Sequence, residues 1–125
     1  MGAGAFLQPS VGGNKPLRLT VRKALTFQAG ATYSYKLNSR QLSGDSVVAK
    51  GVTIASGAQF DMTVVGRGIL NTGTIFTAIN NTAATAIAGQ FANLADGSTF
   101  VLARNKFQVD YEGGDGNDLI LTVVP

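Results

Sequence analysis

The sequence predicts an all-β fold, and three observations lead to this prediction. Apolar residues alternate with polar residues in short segments, which is the period of a strand with one buried face. Gly, Asn, Asp and Ser separate these segments at intervals of about 8–12 residues, as in sandwiches, barrels and solenoids. The one helix candidate, Thr82 to Phe91, contains Thr and Gly and lacks an amphipathic stripe, so it is predicted to be irregular.

Each predicted strand is a short alternation that ends at a turn. In chain order the alternating segments are Leu17, Leu19 and Val21; Leu25 and Phe27; Tyr33, Tyr35 and Leu37; Val52 and Ile54; Phe60, Met62 and Val64; Thr74 to Ile79; Phe100 and Leu102; and a final strand pair within 107–124. Their apolar side chains are predicted to form one core, and the residues expected to be buried are Leu25, Phe27, Val52, Ile54, Phe60, Phe76, Phe91, Leu94, Phe107, Val109, Leu119 and Leu121.

Two segments of the chain repeat each other. Residues 24–33 and 51–60 share the pattern apolar-Thr-apolar-x-x-Gly-Ala-x-aromatic, and their Gly-Ala pairs are 27 residues apart. This spacing is close to one coil of a β-helix, in which each coil stacks its core on the previous one. We therefore predict a short right-handed parallel β-helix, a single solenoid domain over residues 1–125 in which residues 1–16 form an N-terminal arm or first coil. An antiparallel β-sandwich is the alternative.

The last segment, residues 107–124, reads as strand, glycine-rich turn and strand, and predicts a hairpin-like cap. The turn from Gly113 to Asn117 is expected to use at least one positive φ, which glycine tolerates. The same run fits one copy of the calcium-binding nonapeptide, in which Asp115 and Asp118 would bind calcium. Because one copy offers few oxygen ligands, a structural turn is favoured, and no other cofactor is predicted.

The composition excludes several classes of enzyme. The chain has no Cys, His or Trp, so Ser-His-Asp or Cys-His catalysis, thiolate or imidazole zinc sites and disulfides are excluded. Asp110 and Glu112 could act as the carboxylate pair of a glycoside hydrolase, but a solvated strand face with Tyr111 turned inward is the more common arrangement. Tyr33 and Tyr35 could line a glycan groove, although a core or interface role is more common at this spacing. We predict that the protein is not an enzyme.

Charge is distributed unevenly along the chain. Residues 1–50 contain seven basic residues and one acidic residue, whereas residues 90–125 contain two basic and five acidic residues. The basic residues are dispersed, so nucleic-acid binding is not predicted, and no apolar run is long enough to span a membrane. Opposite charges at the two ends and open strand edges favour head-to-tail self-association. The predicted interface residues are Phe6, Leu7, Arg18, Arg22, Lys23, Leu119, Leu121 and Val123.

Five segments, in this order, resemble a known family. They are residues 25–33, 48–60, 73–82, 89–100 and 111–119. Together they span most of the chain and resemble the C-terminal repeat unit of bacterial autotransporter-associated β-strand proteins, which are large passenger-like surface proteins. The resemblance implies a secreted, β-helical, non-catalytic stalk or adhesin segment closed by a terminal strand pair. The family has no catalytic residues that could be assigned to positions of this chain.

The predicted function is therefore that of a structural scaffold or adhesin segment, secreted or at the bacterial cell surface. Its expected partners are further copies of the chain, or neighbouring repeats of the same protein, with head-to-tail filaments as the assembled form. The first alternative is a β-module that binds surface glycans or calcium, and the second is a carbohydrate-active enzyme.

Overall fold

The fold was described in a computed structural model, which covers residues 6–7, 18–21, 23–39, 43–66, 69–102, 104–114 and 116–125. Of residues 6, 7, 18, 19 and 43 only the backbone is described. These ranges contain twelve β-strands and no helix, which confirms the predicted all-β class. The strands are β1 (Phe6–Leu7), β2 (Arg18–Val21), β3 (Leu25–Phe27), β4 (Thr32–Asn38), β5 (Ser43–Gly44), β6 (Ser46–Ala49), β7 (Val52–Ile54), β8 (Gln59–Val65), β9 (Ile75–Asn81), β10 (Thr99–Leu102), β11 (Asn105–Gly113) and β12 (Asp118–Val124).

The first half of the chain pairs mainly in parallel. Strand β3 pairs with β7 and β4 pairs with β8, and in both ladders the partners are 27 residues apart, as in Leu25 with Val52 and Thr32 with Gln59. Strands β2, β6 and β9 form a second parallel series, and β1 pairs in parallel with the start of β4. The repeat found in the sequence is thus the register of two parallel ladders.

The second half of the chain adds antiparallel strands to the parallel series. Strand β12 pairs with β9, β11 with β12, and β10 with β11, so one sheet has the order β10-β11-β12-β9-β6-β2. Short β5 pairs antiparallel with the end of β4. Because the sheets are mixed, the described strands do not form the purely antiparallel sandwich that was the alternative prediction.

One apolar core lies between these sheets. All twelve residues that the sequence predicts to be core are buried. At its centre the rings of Phe27, Tyr33, Tyr35, Phe60 and Phe91 contact one another, with centroid separations from 5.1 to 6.3 Å. These five residues come from β3, β4, β8 and the segment after β9, so the aromatic cluster joins elements that are distant in sequence.

The segment from Thr82 to Phe91 is irregular, as predicted, and amide side chains hold it in place. Asn81 is fully buried: its Oδ1 accepts from the backbone N–H of Gly51 and of Ala83, and its Nδ2 donates to Thr85 O. Asn117 donates from Nδ2 to Ala83 O. Side-chain amides thus satisfy backbone groups that a helix would pair internally.

Candidate functional site

The predicted turn after β11 has the expected backbone. Gly114 and Gly116 have φ values of 59° and 106°, which confirms that this turn uses positive φ. A Cβ at Gly113 would meet the side chain of Ile120, and a Cβ at Gly114 would meet Oδ2 of Asp118, whereas the space around Gly116 is open. The first two glycines are therefore needed for close packing, and Gly116 only for its backbone conformation.

Of the two predicted calcium ligands, the structure describes only Asp118. Asp115 lies outside the described residues. Asp118 is buried at the start of β12, and its Oδ1 accepts from the backbone N–H of Asn81 at 3.0 Å. This bond ties the beginning of β12 to the end of β9, so the carboxylate of Asp118 has a structural role here. Calcium binding by this pair stays a prediction.

Alanine substitutions in this turn test the structural role. We expect Gly116→Ala to cost about 1–2 kcal/mol, which is the penalty for an L-residue at positive φ. Gly114→Ala is expected to cost more, because the added methyl group also displaces the carboxylate of Asp118. Urea unfolding with and without EGTA measures both effects. If EGTA strongly lowers the free energy of unfolding of the unsubstituted protein, while the two alanine variants are as stable as the unsubstituted protein, the turn is instead a calcium site.

Three carboxylates meet at the surface beside β11, and we call Asp96, Asp110 and Glu112 the acidic cluster. One carboxylate oxygen from each lies within 4.8 Å of the others. Asp96 precedes β10, and its Oδ1 accepts from Tyr111 N at 3.1 Å, while Asp110 Oδ1 accepts from Glu112 N at 2.8 Å. These backbone bonds fix the two aspartates, and carboxylate oxygens grouped in this way are the kind of ligand that hard divalent cations take.

The acidic cluster concentrates negative charge at one place. A hydrogen bond with Asp96, and then charge repulsion from Asp96 and Asp110, raise the pKa of the exposed Glu112 carboxyl. The sequence interpretation found Asp110 and Glu112 as neighbours on one strand face but missed Asp96. In the sequence Asp96 stands in an Asp-Gly pair, which is typical of a turn and does not indicate a binding site.

The glycan groove suggested by two tyrosines is not present in the described fold. Tyr33 and Tyr35 are buried in the core, at 0% and 2% exposure, so neither ring can face a sugar. Alternation directs both side chains of β4 inward, where they join the aromatic cluster. The Tyr33 hydroxyl donates to Ala78 O at 2.8 Å.

The structure changes the predicted interface. Leu119, Leu121 and Val123 are buried in the core, and β12 is paired on both sides, by β11 and by β9. These three side chains have almost no surface to offer a partner, so they are corrected from interface to core. A period-2 apolar strand fits either role, and only the position of the strand within its sheet decides between them.

The basic and N-terminal interface residues are placed differently. Phe6 and Leu7 form β1, whose backbone pairs with Thr32 and Tyr33 of the same chain. Arg18 is the first residue of β2, Arg22 lies outside the described residues, and Lys23 is exposed. A second exposed lysine, Lys50, lies beside it, because Lys50 N donates to Lys23 O at 3.3 Å.

Two strand edges are closed by polar side chains. Along β4, Asp45 donates its backbone N–H to Lys36 O at 2.7 Å and accepts from Lys36 N through Oδ2 at 2.9 Å. Along β8, the side-chain amide of Asn93 accepts from Phe60 N at 2.8 Å and donates to Phe60 O at 2.7 Å. In both places one polar residue occupies the N–H and C=O groups of a strand residue that would otherwise be available to a further strand.

An apolar groove of about 240 Å³ lies between β8 and β10. The residues that line it are Phe60, Met62, Asn93, Leu94, Phe100, Val101 and Leu102. On the β10 side Val101 is 69% exposed, an unusual position for a valine. The groove therefore adjoins a strand that shows apolar surface to solvent.

No known protein family, curated protein or solved structure matches this chain. Among the residues whose structure is described, no helix is long and apolar enough to cross a membrane.

Proposed function

We propose that this chain is a non-catalytic scaffold or adhesin segment, secreted or at the bacterial cell surface, built as a short right-handed β-solenoid. The 27-residue register carries the proposal, because a single sequence unit pairs with its own repeat through both β3–β7 and β4–β8. Stacking of equivalent units is how solenoids bury their core. We propose a right-handed solenoid because crossover connections between parallel strands of one sheet are nearly always right-handed.

The antiparallel strands after β9 act in this proposal as the closing end of the stack. Their inner side chains, including Phe107, Val109 and Leu121, continue the core that begins in β3 and β7. A solenoid end needs such a cover, since its last coil would otherwise expose apolar side chains. The composition supports a structural role, because it lacks the His and Cys nucleophile–base pairs of many hydrolases.

A scaffold of this kind functions by self-association. We therefore propose that copies of this chain associate head to tail. Sedimentation velocity over a range of concentrations, with negative-stain imaging, tests this. We expect the average mass to rise with concentration and elongated particles of constant width to appear. Charge steering should weaken in about 1 M salt, where the screening length is about 3 Å. A strict monomer at high concentration and low salt would overturn the proposal.

A further inference from the structure

The six-stranded sheet has two outer strands, β10 and β2. In the described part of the chain neither has a strand on its outer side. In β11, Val109 directs its N–H and C=O toward β10, where they bond Ser98 and Gly97. By the alternation of a strand, Thr99 and Val101 then direct their backbone groups outward. These residues present hydrogen-bonding groups to any strand that approaches, and β10 contains no Lys or Pro to prevent it.

The directions of the strands fix how another copy would meet this edge. Strands β2, β6 and β9 are parallel, β12 runs against them, β11 runs with them, and β10 runs against them. A second copy that continues the sheet in the same orientation therefore places its β2 antiparallel to β10. Val21, at the end of that β2, then lies opposite Phe100 near the start of β10, because both side chains pack on the core side of the sheet. Exposed Thr20 lies opposite exposed Val101 on the outer side.

Opposite charges lie at those two strand ends. Exposed Lys23 follows β2, and the hydrogen bond from Lys50 N to Lys23 O keeps exposed Lys50 beside it. The acidic cluster lies at the start of β10, because Asp96 precedes that strand and the other two carboxylates follow Val109, whose O accepts from Gly97 N. The antiparallel contact brings two lysines against three carboxylates. A parallel contact would bring the lysines toward the basic far end of β10, where Arg104 and Lys106 are exposed.

We propose that copies of this chain join by antiparallel pairing of β10 in one copy with β2 in the next, with Lys23 and Lys50 of the second copy against the acidic cluster of the first. This contact rests on the proposed function, since it specifies how the self-associating scaffold is joined. Each copy offers one edge of each kind, so the contact is heterologous and extends into a filament instead of closing a dimer. The six-stranded sheet would then run continuously through the filament.

A charge-swap experiment tests the orientation of the contact. The variant Lys23→Glu with Lys50→Glu, and separately Asp110→Lys with Glu112→Lys, should each reduce assembly at least tenfold, measured as the concentration at which half of the protein sediments as oligomer. Combining all four substitutions in one chain should restore at least half of the lost assembly, because the charges are again opposite. All four residues lie at the surface or partly exposed, and circular dichroism checks that each variant is folded.

Two further variants test the strands themselves. Val101→Pro removes one outward N–H and leaves the β10–β11 ladder intact, so the monomer should stay folded while assembly is lost. Because the chain has no cysteine, a Thr20→Cys copy mixed with a Val101→Cys copy should form disulfide-linked dimers under mild oxidation. The matched control replaces Thr20→Cys by Thr53→Cys, an exposed threonine on β7, and should give no such dimer.

The outcomes separate this contact from the proposed function. Filaments that persist unchanged in Val101→Pro and in both charge reversals would overturn the β10–β2 contact and leave the scaffold proposal standing. Equal cross-linking by Thr20→Cys and by the Thr53→Cys control would do the same. An unsubstituted protein that stays monomeric throughout would overturn both proposals.

Discussion

Replacing Phe27 with alanine is expected to destabilise the fold by about 3–5 kcal/mol, which is the usual cost of removing a buried phenylalanine ring. Phe27 is fully buried, and its ring centroid lies 5.9 Å from that of Tyr33 and 5.1 Å from that of Phe91. These neighbours belong to β4 and to the segment after β9, which also pack on Phe60. Tyr33 and Phe91 are thus held in place by Phe60 as well as by Phe27. They cannot move fully into the space that the missing ring would leave, so a cavity would remain.

Urea unfolding monitored by circular dichroism measures this loss. Ile75→Ala is the matched control, because Ile75 is 57% exposed on β9 and its truncation should change stability by less than about 0.5 kcal/mol. Phe107→Ala extends the test to the closing strands, where Phe107 is fully buried and stacks on Phe100 at 5.4 Å. One cooperative transition for all variants is expected from a single core. Losses below about 1 kcal/mol at both phenylalanines would show that these faces are not core.

Local patterns in the sequence were sufficient to find the core and two of the parallel registers. The Gly-Ala pairs at Gly30 and Gly57 share one turn geometry, with φ values of 83° and 96°, so the sequences around them match. The same offset brings Tyr33 onto Phe60 in the β4–β8 ladder. The repeat is visible in the sequence because the paired strands of these two ladders have equivalent positions in the fold. Equivalent positions impose the same packing constraints on their residues.

The sequence did not reveal the strands that break this regularity. Strand β6 was missed because Val48 is apolar on the outer face, between buried Val47 and Ala49, so no alternation is visible. Its partner in β9 is further along the chain: Val47 pairs with Ile79, a separation of 32 residues instead of 27. The additional residues change the spacing, so the β6–β9 pairing leaves no 27-residue repeat in the sequence.

The polar contacts that shape the candidate site also could not be predicted. The closures of the β4 and β8 edges by Asp45 and Asn93 depend on where a loop places one side chain. The acidic cluster depends likewise on the loop that brings Asp96 beside β11. A lone Asp or Asn in a loop has the same local sequence whether it closes an edge or faces water. Such contacts are set by the tertiary fold, and the proposed β10–β2 contact likewise depends on strand order and direction, which local sequence patterns do not specify.

Removing the hydroxyl group of Tyr111 is expected to have the second large effect, about 2–4 kcal/mol for Tyr111→Phe. Tyr111 is buried, and its hydroxyl donates to Leu94 O at 2.6 Å and accepts from Phe91 N at 3.0 Å. Burial raises the pKa of Tyr111 to about 12, although the bond from Phe91 opposes this. Without the hydroxyl, one buried N–H and one buried C=O lose a partner, and each such loss costs about 1–3 kcal/mol.

The other two tyrosines provide matched controls, because all three are buried and differ in hydrogen bonding. The Tyr33 hydroxyl makes one bond, to Ala78 O, so Tyr33→Phe should cost about 1 kcal/mol. The Tyr35 hydroxyl has no hydrogen-bond partner among the described residues, so Tyr35→Phe should leave stability unchanged or raise it slightly. The free energy of unfolding in urea should therefore fall most for Tyr111→Phe, less for Tyr33→Phe and least for Tyr35→Phe. Equal losses in the three variants would show that stability does not depend on these hydroxyl hydrogen bonds.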